Sequence, residues 1–118
     1  MPGIEYEDLD EYGARDEYGA SDEYRALDTA AREALRAPSI FNSQPWRWRH
    51  RDGGLELWAD WSRQLMVADP AGQSLLVSCG AALHHARVSL AAAGWNAVVE
   101  RTGERDRLAR IRLAGRGS

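Results

Sequence analysis

The chain has 118 residues, which is the length of one domain and too short for two separate hydrophobic cores. It is 44% hydrophobic and 28% charged, with a mean hydropathy of −0.53, as expected of a soluble chain. There is no run of about 18 apolar residues, which argues against a membrane-spanning helix. The acidic start MPGIEYEDLDEY lacks the features of a secretory signal. Since the single cysteine, Cys79, cannot form an internal disulfide, we expect a cytoplasmic protein.

The net charge of −3 is divided unevenly along the chain. Residues 1–28 carry ten acids against two arginines, whereas residues 29–118 carry eight acids against thirteen arginines. The acidic region repeats a six-residue unit three times from Asp10: DEYGAR, DEYGAS and DEYRAL. Six residues fit neither a helical nor a strand period, and the composition is too polar to bury a core. We therefore predict a disordered acidic tail over residues 1–21, either solvated or carrying tyrosine docking elements, and a folded domain over residues 22–115.

The folded domain is predicted to open with a helix and a loop. Asp22 is a suitable N-cap, and the helix must end by Ala37 because Pro38 disfavours helical backbone in the residue before it. Four apolar residues share one face of this helix: Leu27, Ala31, Ala34 and Leu35. The stretch from Pro38 to Pro45 then forms a loop between two prolines.

A hairpin follows the loop. Trp46, Trp48 and His50 alternate with three arginines, which predicts a strand with one apolar face. Residues 52–54 (Asp-Gly-Gly) form a turn, and the return strand points Leu55, Leu57 and Ala59 inward. Glu56 lies on the other face, where we expect it to pair with the arginine row of the first strand.

A long helix over residues 70–93 is predicted next. Asp69 serves as N-cap, Pro70 as first helical residue and Gly94 as C-terminal cap. Its apolar stripe consists of Leu76, Cys79, Leu83, Ala86 and Leu90. Because a body of ~95 residues has little to cover so long a stripe, we expect this helix to form an interface with another subunit or half-domain.

Two more strands, residues 95–101 and 107–113, are joined by a turn at Gly103. The order α-β-β-α-β-β predicts an α+β fold, in which a small mixed or antiparallel sheet packs on one long and one shorter helix.

The residue pattern argues against several functional classes. In the first strand the tryptophans and arginines face opposite sides, so they do not form a nucleic-acid groove. His84 and His85 are adjacent and lack the spacing of a metal site, and Cys79 lies on the apolar stripe as a buried residue rather than a nucleophile. No catalytic constellation can be assembled, so we assign no catalytic residue and expect no nucleic-acid, membrane or metal partner.

The loop carries the most specific signal in the sequence. The segment from Ala37 to Trp46, APSIFNSQPW, resembles the signature loop Pro-Ser-x-x-Asn-x-Gln-Pro-Trp of flavin-dependent nitroreductases. The stretches Asp60–Leu65, Asp69–Gln73 and Ser78–His85 are similar to the Acg-type branch of that family. The resemblance extends from about residue 30 to residue 115 and implies a nitroreductase-like half-domain that reduces its substrates with FMN and NAD(P)H.

The resemblance also implies which residues contact the flavin. An isoalloxazine ring needs an apolar wall and a few directed hydrogen bonds. The implied cofactor-binding residues are Ser39, Ile40, Phe41, Asn42 and Gln44. From the residues alone, Asn42 and Gln44 could instead satisfy backbone groups within the turn.

In the family, an arginine-rich segment holds the FMN phosphate, and no such segment is evident here. We therefore interpret the chain as the truncated first half of an Acg-type protein, which binds FMN only with a partner that supplies the phosphate site. That partner would be a second copy or a full-length nitroreductase-like protein, joined through the 70–93 helix. The alternatives are a non-catalytic dimerisation or flavin-sequestering module and a gene remnant.

Overall fold

The computed structural model describes residues 4–6, 22–37, 44–65 and 69–116. These form two helices and five strands: β1 (Ile4–Tyr6), α1 (Asp22–Ala34), β2 (Trp46–Arg51), β3 (Gly54–Ala59), α2 (Gln73–Ala92), β4 (Trp95–Arg101) and β5 (Arg107–Arg116). A 3₁₀ turn at Trp61–Arg63 follows β3.

The strands form one mixed sheet in the order β1-β2-β3-β5-β4. β1 runs parallel to β2, and all other neighbours are antiparallel. The predicted hairpin is confirmed, with Trp46 opposite Ala59 and Arg51 opposite Gly54. Its two turn residues, Asp52 and Gly53, have φ angles of 50° and 74°, the positive values that a tight hairpin turn requires.

Both helices contribute to one core on one side of the sheet. The inward faces of β2 and β3 bury Trp46, Trp48, Leu55 and Leu57, as the alternation predicted. Where the helices meet each other, they bury small side chains, which allow the two backbones to approach closely: Ala30, Ala31 and Ala34 on α1, and Ala82 and Ala86 on α2. The predicted α+β class is confirmed.

Both helices are shorter than predicted. α1 ends at Ala34, and residues 35–37 continue as a turn in which the Ala37 N–H donates to the Ala34 carbonyl at 3.0 Å. α2 begins at Gln73 instead of Pro70 because Gly72, with φ of 76°, turns the chain just before it. Asp69 still caps α2 from outside the helix: its carboxylate accepts from the N–H groups of Ser74 and Leu75 at 2.9 and 2.8 Å.

Four of the five residues predicted for the apolar stripe of α2 are buried, and the fifth, Leu76, is not. Leu75 is buried, whereas Leu76 is 43% exposed. The stripe packs against α1 and the sheet. The predicted partner of this helix stays a prediction. By length and composition α2 is also the one helix among the described residues that could cross a membrane, a test that the core helix of a soluble protein passes equally.

The first strand falls within the region predicted to be disordered. Ile4–Tyr6 pairs with β2, Ile4 is buried, and the Glu5 carboxylate accepts from Arg47 at 3.2 Å. The rest of the predicted tail lies outside the described residues.

Candidate functional site

The candidate site is the loop between α1 and β2. Ser39, Ile40, Phe41 and Asn42 lie outside the described residues, so their predicted contacts stay predictions. Gln44 is described: its backbone has φ of 47°, and its side-chain amide donates to the Leu35 carbonyl at 3.0 Å. This bond joins the two ends of the loop. It agrees with the alternative interpretation of Gln44, in which the side-chain amide satisfies a backbone group instead of contacting a flavin.

The loop ends at Pro45, which is buried and held by two hydrogen bonds to its carbonyl. Its carbonyl accepts from the backbone N–H of Asp60 at 2.9 Å and from the Cys79 thiol at 3.4 Å. The loop exit is therefore attached to the end of β3 and to the middle of α2.

Cys79 is a structural donor rather than a nucleophile. It is fully buried, and burial, together with the nearby charge of Asp60, raises the pKa of its thiol to about 12. Cys79 is thus the buried core residue that the sequence predicts, and its raised pKa disfavours the thiolate, which is the reactive form.

Asp60 supplies a stable negative charge beside the loop exit. Burial alone would raise its pKa, but hydrogen bonds from Ser62 and the charges of Arg47 and Arg63 outweigh that effect and lower the pKa. The guanidinium Nε atoms of Arg47 and Arg63 lie 3.5 and 3.6 Å from its carboxylate. The arginines nearest to this end of β2 are thus partly neutralised by a local carboxylate.

The described residues beside the loop do not fit FMN by themselves. Gln44 uses an amide hydrogen on Leu35, and Arg36, at the end of α1, is 81% exposed with its charge 3.7 Å from Glu33. An FMN phosphate would require cationic donors converging on it. In the part of the chain that the structure describes, no three His, Cys, Asp or Glu side chains cluster as metal ligands, and His84 and His85 are exposed.

Sequence reasoning missed the main polar contact of the sheet. Glu56 was expected to pair with the arginines of β2, but the structure corrects this: its carboxylate accepts from Arg107 of β5 at 2.9 Å and from the Trp58 indole at 3.1 Å. No local signal indicates this pairing, because strict alternation along β5 would put Arg107 on the face of buried Ala109 and Ile111. The register between β3 and β5 shifts at Leu57 and Trp58, which only the sheet shows.

The α+β fold, with its five-stranded mixed sheet and two helices, is compatible with a nitroreductase-like half-domain, and the sequence is similar to proteins with nitroreductase names. No family model matches the chain. It is 54% identical over 68 residues to "Putative NAD(P)H nitroreductase Rv3131" of Mycobacterium tuberculosis (strain ATCC 25618 / H37Rv), covering 58% of this chain and 20% of that protein.

Two further proteins of the same strain match less closely. "Putative NAD(P)H nitroreductase acg" is 48% identical over 75 residues, covering 64% of this chain and 23% of that protein. "Uncharacterized protein Rv3127" is 39% identical over 79 residues with the same coverage. The predicted resemblance to Acg-type nitroreductases is confirmed, and the chain spans about a fifth of the length of the curated relatives it matches.

Proposed function

We propose that the chain is a nitroreductase-like oxidoreductase module that acts in the cytoplasm and contributes the ring-facing part of an FMN site. The observation that carries this proposal is 54% identity over 68 residues to a protein whose name is that of an NAD(P)H nitroreductase. The flavin, when bound, supplies hydride transfer between NAD(P)H and the substrate. The ring-facing residues in this proposal are Ser39, Ile40, Phe41, Asn42 and Gln44.

The contribution of this chain is to position the loop. The Gln44–Leu35 hydrogen bond joins the loop ends, and the Pro45 carbonyl binds both Asp60 and Cys79. The residues at the two ends of the loop are thus anchored on a helix and a sheet, and such rigid support favours a precise ligand contact.

We propose further that a partner completes the site, because the described residues beside the loop do not fit FMN alone. The partner is a second copy or a full-length nitroreductase-like protein that binds the outer face of α2. Three of the four large hydrophobic side chains that are exposed in the described part of the chain lie on α2: Leu76, Val77 and Val88.

Flavin retention on gel filtration tests this proposal. The chain alone should retain little FMN, and a mixture with the full-length relative Rv3131 should retain more than the relative alone. Asn42→Ala should reduce that gain, and Asn96→Ala, an exposed residue on β4, should not. Stoichiometric FMN on the isolated chain would contradict the need for a partner, and no gain in the mixture would contradict the shared site.

A second candidate function is a non-catalytic dimerisation or flavin-sequestering module, favoured by the same exposed residues of α2. NAD(P)H oxidation by the reconstituted flavin complex distinguishes the two, since sequestration gives bound flavin without turnover. The double substitution Val77→Ser with Val88→Ser should shift the mass measured by light scattering toward the monomer in either case. An unchanged mass would exclude this face as the interface.

A further inference from the structure

A groove separate from the loop lies between α2 and the connection from β4 to β5. It is a cavity of about 480 Å³, within the range of small-molecule sites. We call it the α2 groove and define it by a floor of Leu57, Leu83 and Leu108, a wall at Gly80 and a rim with Arg101.

Core leucines close the bottom of the α2 groove, and its sides are mostly apolar and open to solvent. Leu57 and Leu83 belong to the buried core, and Leu76 is 43% exposed at the side of the cavity. A side chain built on Gly80 would meet no atom within 4 Å, so the space beside α2 is empty there. Such a surface favours an apolar occupant, because each buried CH₂ contributes about 0.8 kcal/mol.

One wall of the groove is a fixed aromatic ring. The Trp61 indole donates to the Arg105 carbonyl at 3.1 Å, and the Arg105 guanidinium lies 4.3 Å from the ring centre. Gly72 lies directly against the Trp61 ring, since a Cβ built on Gly72 would be 2.6 Å from the ring. The ring therefore cannot move toward α2. The wall is therefore already formed without a ligand.

The rim carries one positive charge that the described residues do not neutralise. Arg101 pairs in register with buried Ala109, which places it on the helix side of the sheet, and no ion pair involves it within the described ranges. The other charges nearby are occupied: Glu104 binds Arg107 at 2.7 Å, and Arg105 binds Asp106 at 3.3 Å.

We propose that the α2 groove binds an amphipathic monoanion, whose aliphatic body lies on the leucine floor and whose carboxylate pairs with Arg101. The charge at the rim selects an anion, and the apolar floor selects against small hydrophilic ions. This site shares no residue with the loop, so it does not depend on the proposed flavin chemistry.

Binding of decanoate to the full chain, measured by calorimetry and by shifts of the Gly80 and Gly103 amide resonances, tests the proposal. One decanoate should bind per chain, while decyltrimethylammonium, which has the same body and the opposite charge, should not bind. Absence of saturable decanoate binding at millimolar concentration, or equal binding of the two probes, would overturn the proposal.

Two variants locate the ligand. Arg101→Gln should weaken decanoate binding by about tenfold through loss of the charged hydrogen bond, whereas Arg36→Gln, an exposed arginine away from the groove, should leave it unchanged. Gly80→Leu should fill the cavity and abolish binding without lowering the melting temperature, because the space is empty and leucine favours helix. Equal affinity of both arginine variants would contradict the assignment.

Discussion

At the scale of single residues, the sheet face opposite the helices depends on a row of alternating charges. The register places Glu5, Arg49, Glu56, Arg110 and Glu100 side by side across all five strands. The acids of the row form their ion pairs with arginines outside it: Glu5 with Arg47, Glu56 with Arg107 and Glu100 with Arg112. Glu56 is only 1% exposed although no core residue lies on its side of β3.

Glu56→Gln should lower the free energy of unfolding by about 2 kcal/mol, because it removes the charge from a buried carboxylate that accepts a hydrogen bond from the Arg107 guanidinium. The matched control is Glu100→Gln, in the same row and also paired with an arginine but 54% exposed, for which we expect a change within about 0.5 kcal/mol. Chemical denaturation of both variants measures the difference. Equal effects would show that the position of Glu56 in the row gives it no special role.

His50 is the second residue whose environment sets its chemistry. It is 2% exposed on the inner side of β2, with Nε2 3.2 Å from the Asp28 carboxylate and the Tyr24 ring centre at 4.8 Å. Burial lowers the pKa of His50 below its usual value of 6.5, and Asp28 opposes this only in part, while Arg32 adds to it. The imidazole is thus kept neutral in the folded protein.

The chain should therefore lose stability on acidification from pH 7 to pH 5. Above pH 6.5 the imidazole is neutral in both states; below it the unfolded chain takes up the proton first, so unfolding is favoured until the folded state is protonated too. Denaturation curves at the two pH values should show a smaller loss for His50→Gln and an unchanged loss for exposed His84→Gln. A loss as large in His50→Gln as in the parent chain would assign the effect to other groups.

At the scale of elements, the start of α2 is decided by the contact between Gly72 and Trp61. Gly72 has a φ of 76°, and its Cα lies so close to the Trp61 ring that a Cβ would be 2.6 Å away. The sequence signal Asp69–Pro70 correctly indicated a capping carboxylate but placed the first helical turn three residues early. Only the position of the Trp61 ring explains why the helix begins at Gln73.

Two alanine substitutions separate the strain at Gly72 from the helix propensity of α2. Gly72→Ala should destabilise the fold by about 2 kcal/mol, since it strains a left-handed residue and displaces a ring. Gly80→Ala, inside α2 and facing empty space, should stabilise it by about 0.5–1 kcal/mol through helix propensity. Melting temperatures that moved in the same direction for both variants would contradict this account of the helix start.

At the scale of the whole molecule, the N-terminal strand closes one edge of the sheet. β1 adds only three residues, too few for a periodic pattern, and it lies in a stretch whose composition indicates disorder. Its stabilisation comes from the burial of Ile4 beside Trp48, its partner in register on β2.

Ile4→Ala should cost about 1–2 kcal/mol of stability, because a buried side chain is lost at an edge that can partly relax. Glu5→Gln, its half-exposed neighbour paired with Arg47, should change stability by less than about 0.5 kcal/mol. Equilibrium unfolding of the two variants checks this. If Ile4→Ala were as stable as the parent chain, residues 4–6 would not be part of the cooperative fold.

Much of this molecule was predictable because local chemistry dictates it. The alternation of Trp46, Trp48 and His50 specifies the inner face of β2, and Asp52–Gly53 specifies the hairpin turn. The loop motif predicted the relatives that were found. Gln44 shows the limit at the site: its residue type suited both a flavin contact and a backbone contact, and only the position of Leu35 shows the bond it makes.

The amino-acid sequence by itself determined the α+β class, the inward faces of the central strands and the resemblance to nitroreductases, because periodicity, turn residues and motifs act between near neighbours. The tertiary structure alone decided the partner of Glu56, the burial of Leu75 in place of Leu76, and the groove beside Gly80. These depend on how distant segments pack against one another, and packing has no signature in any single stretch of chain.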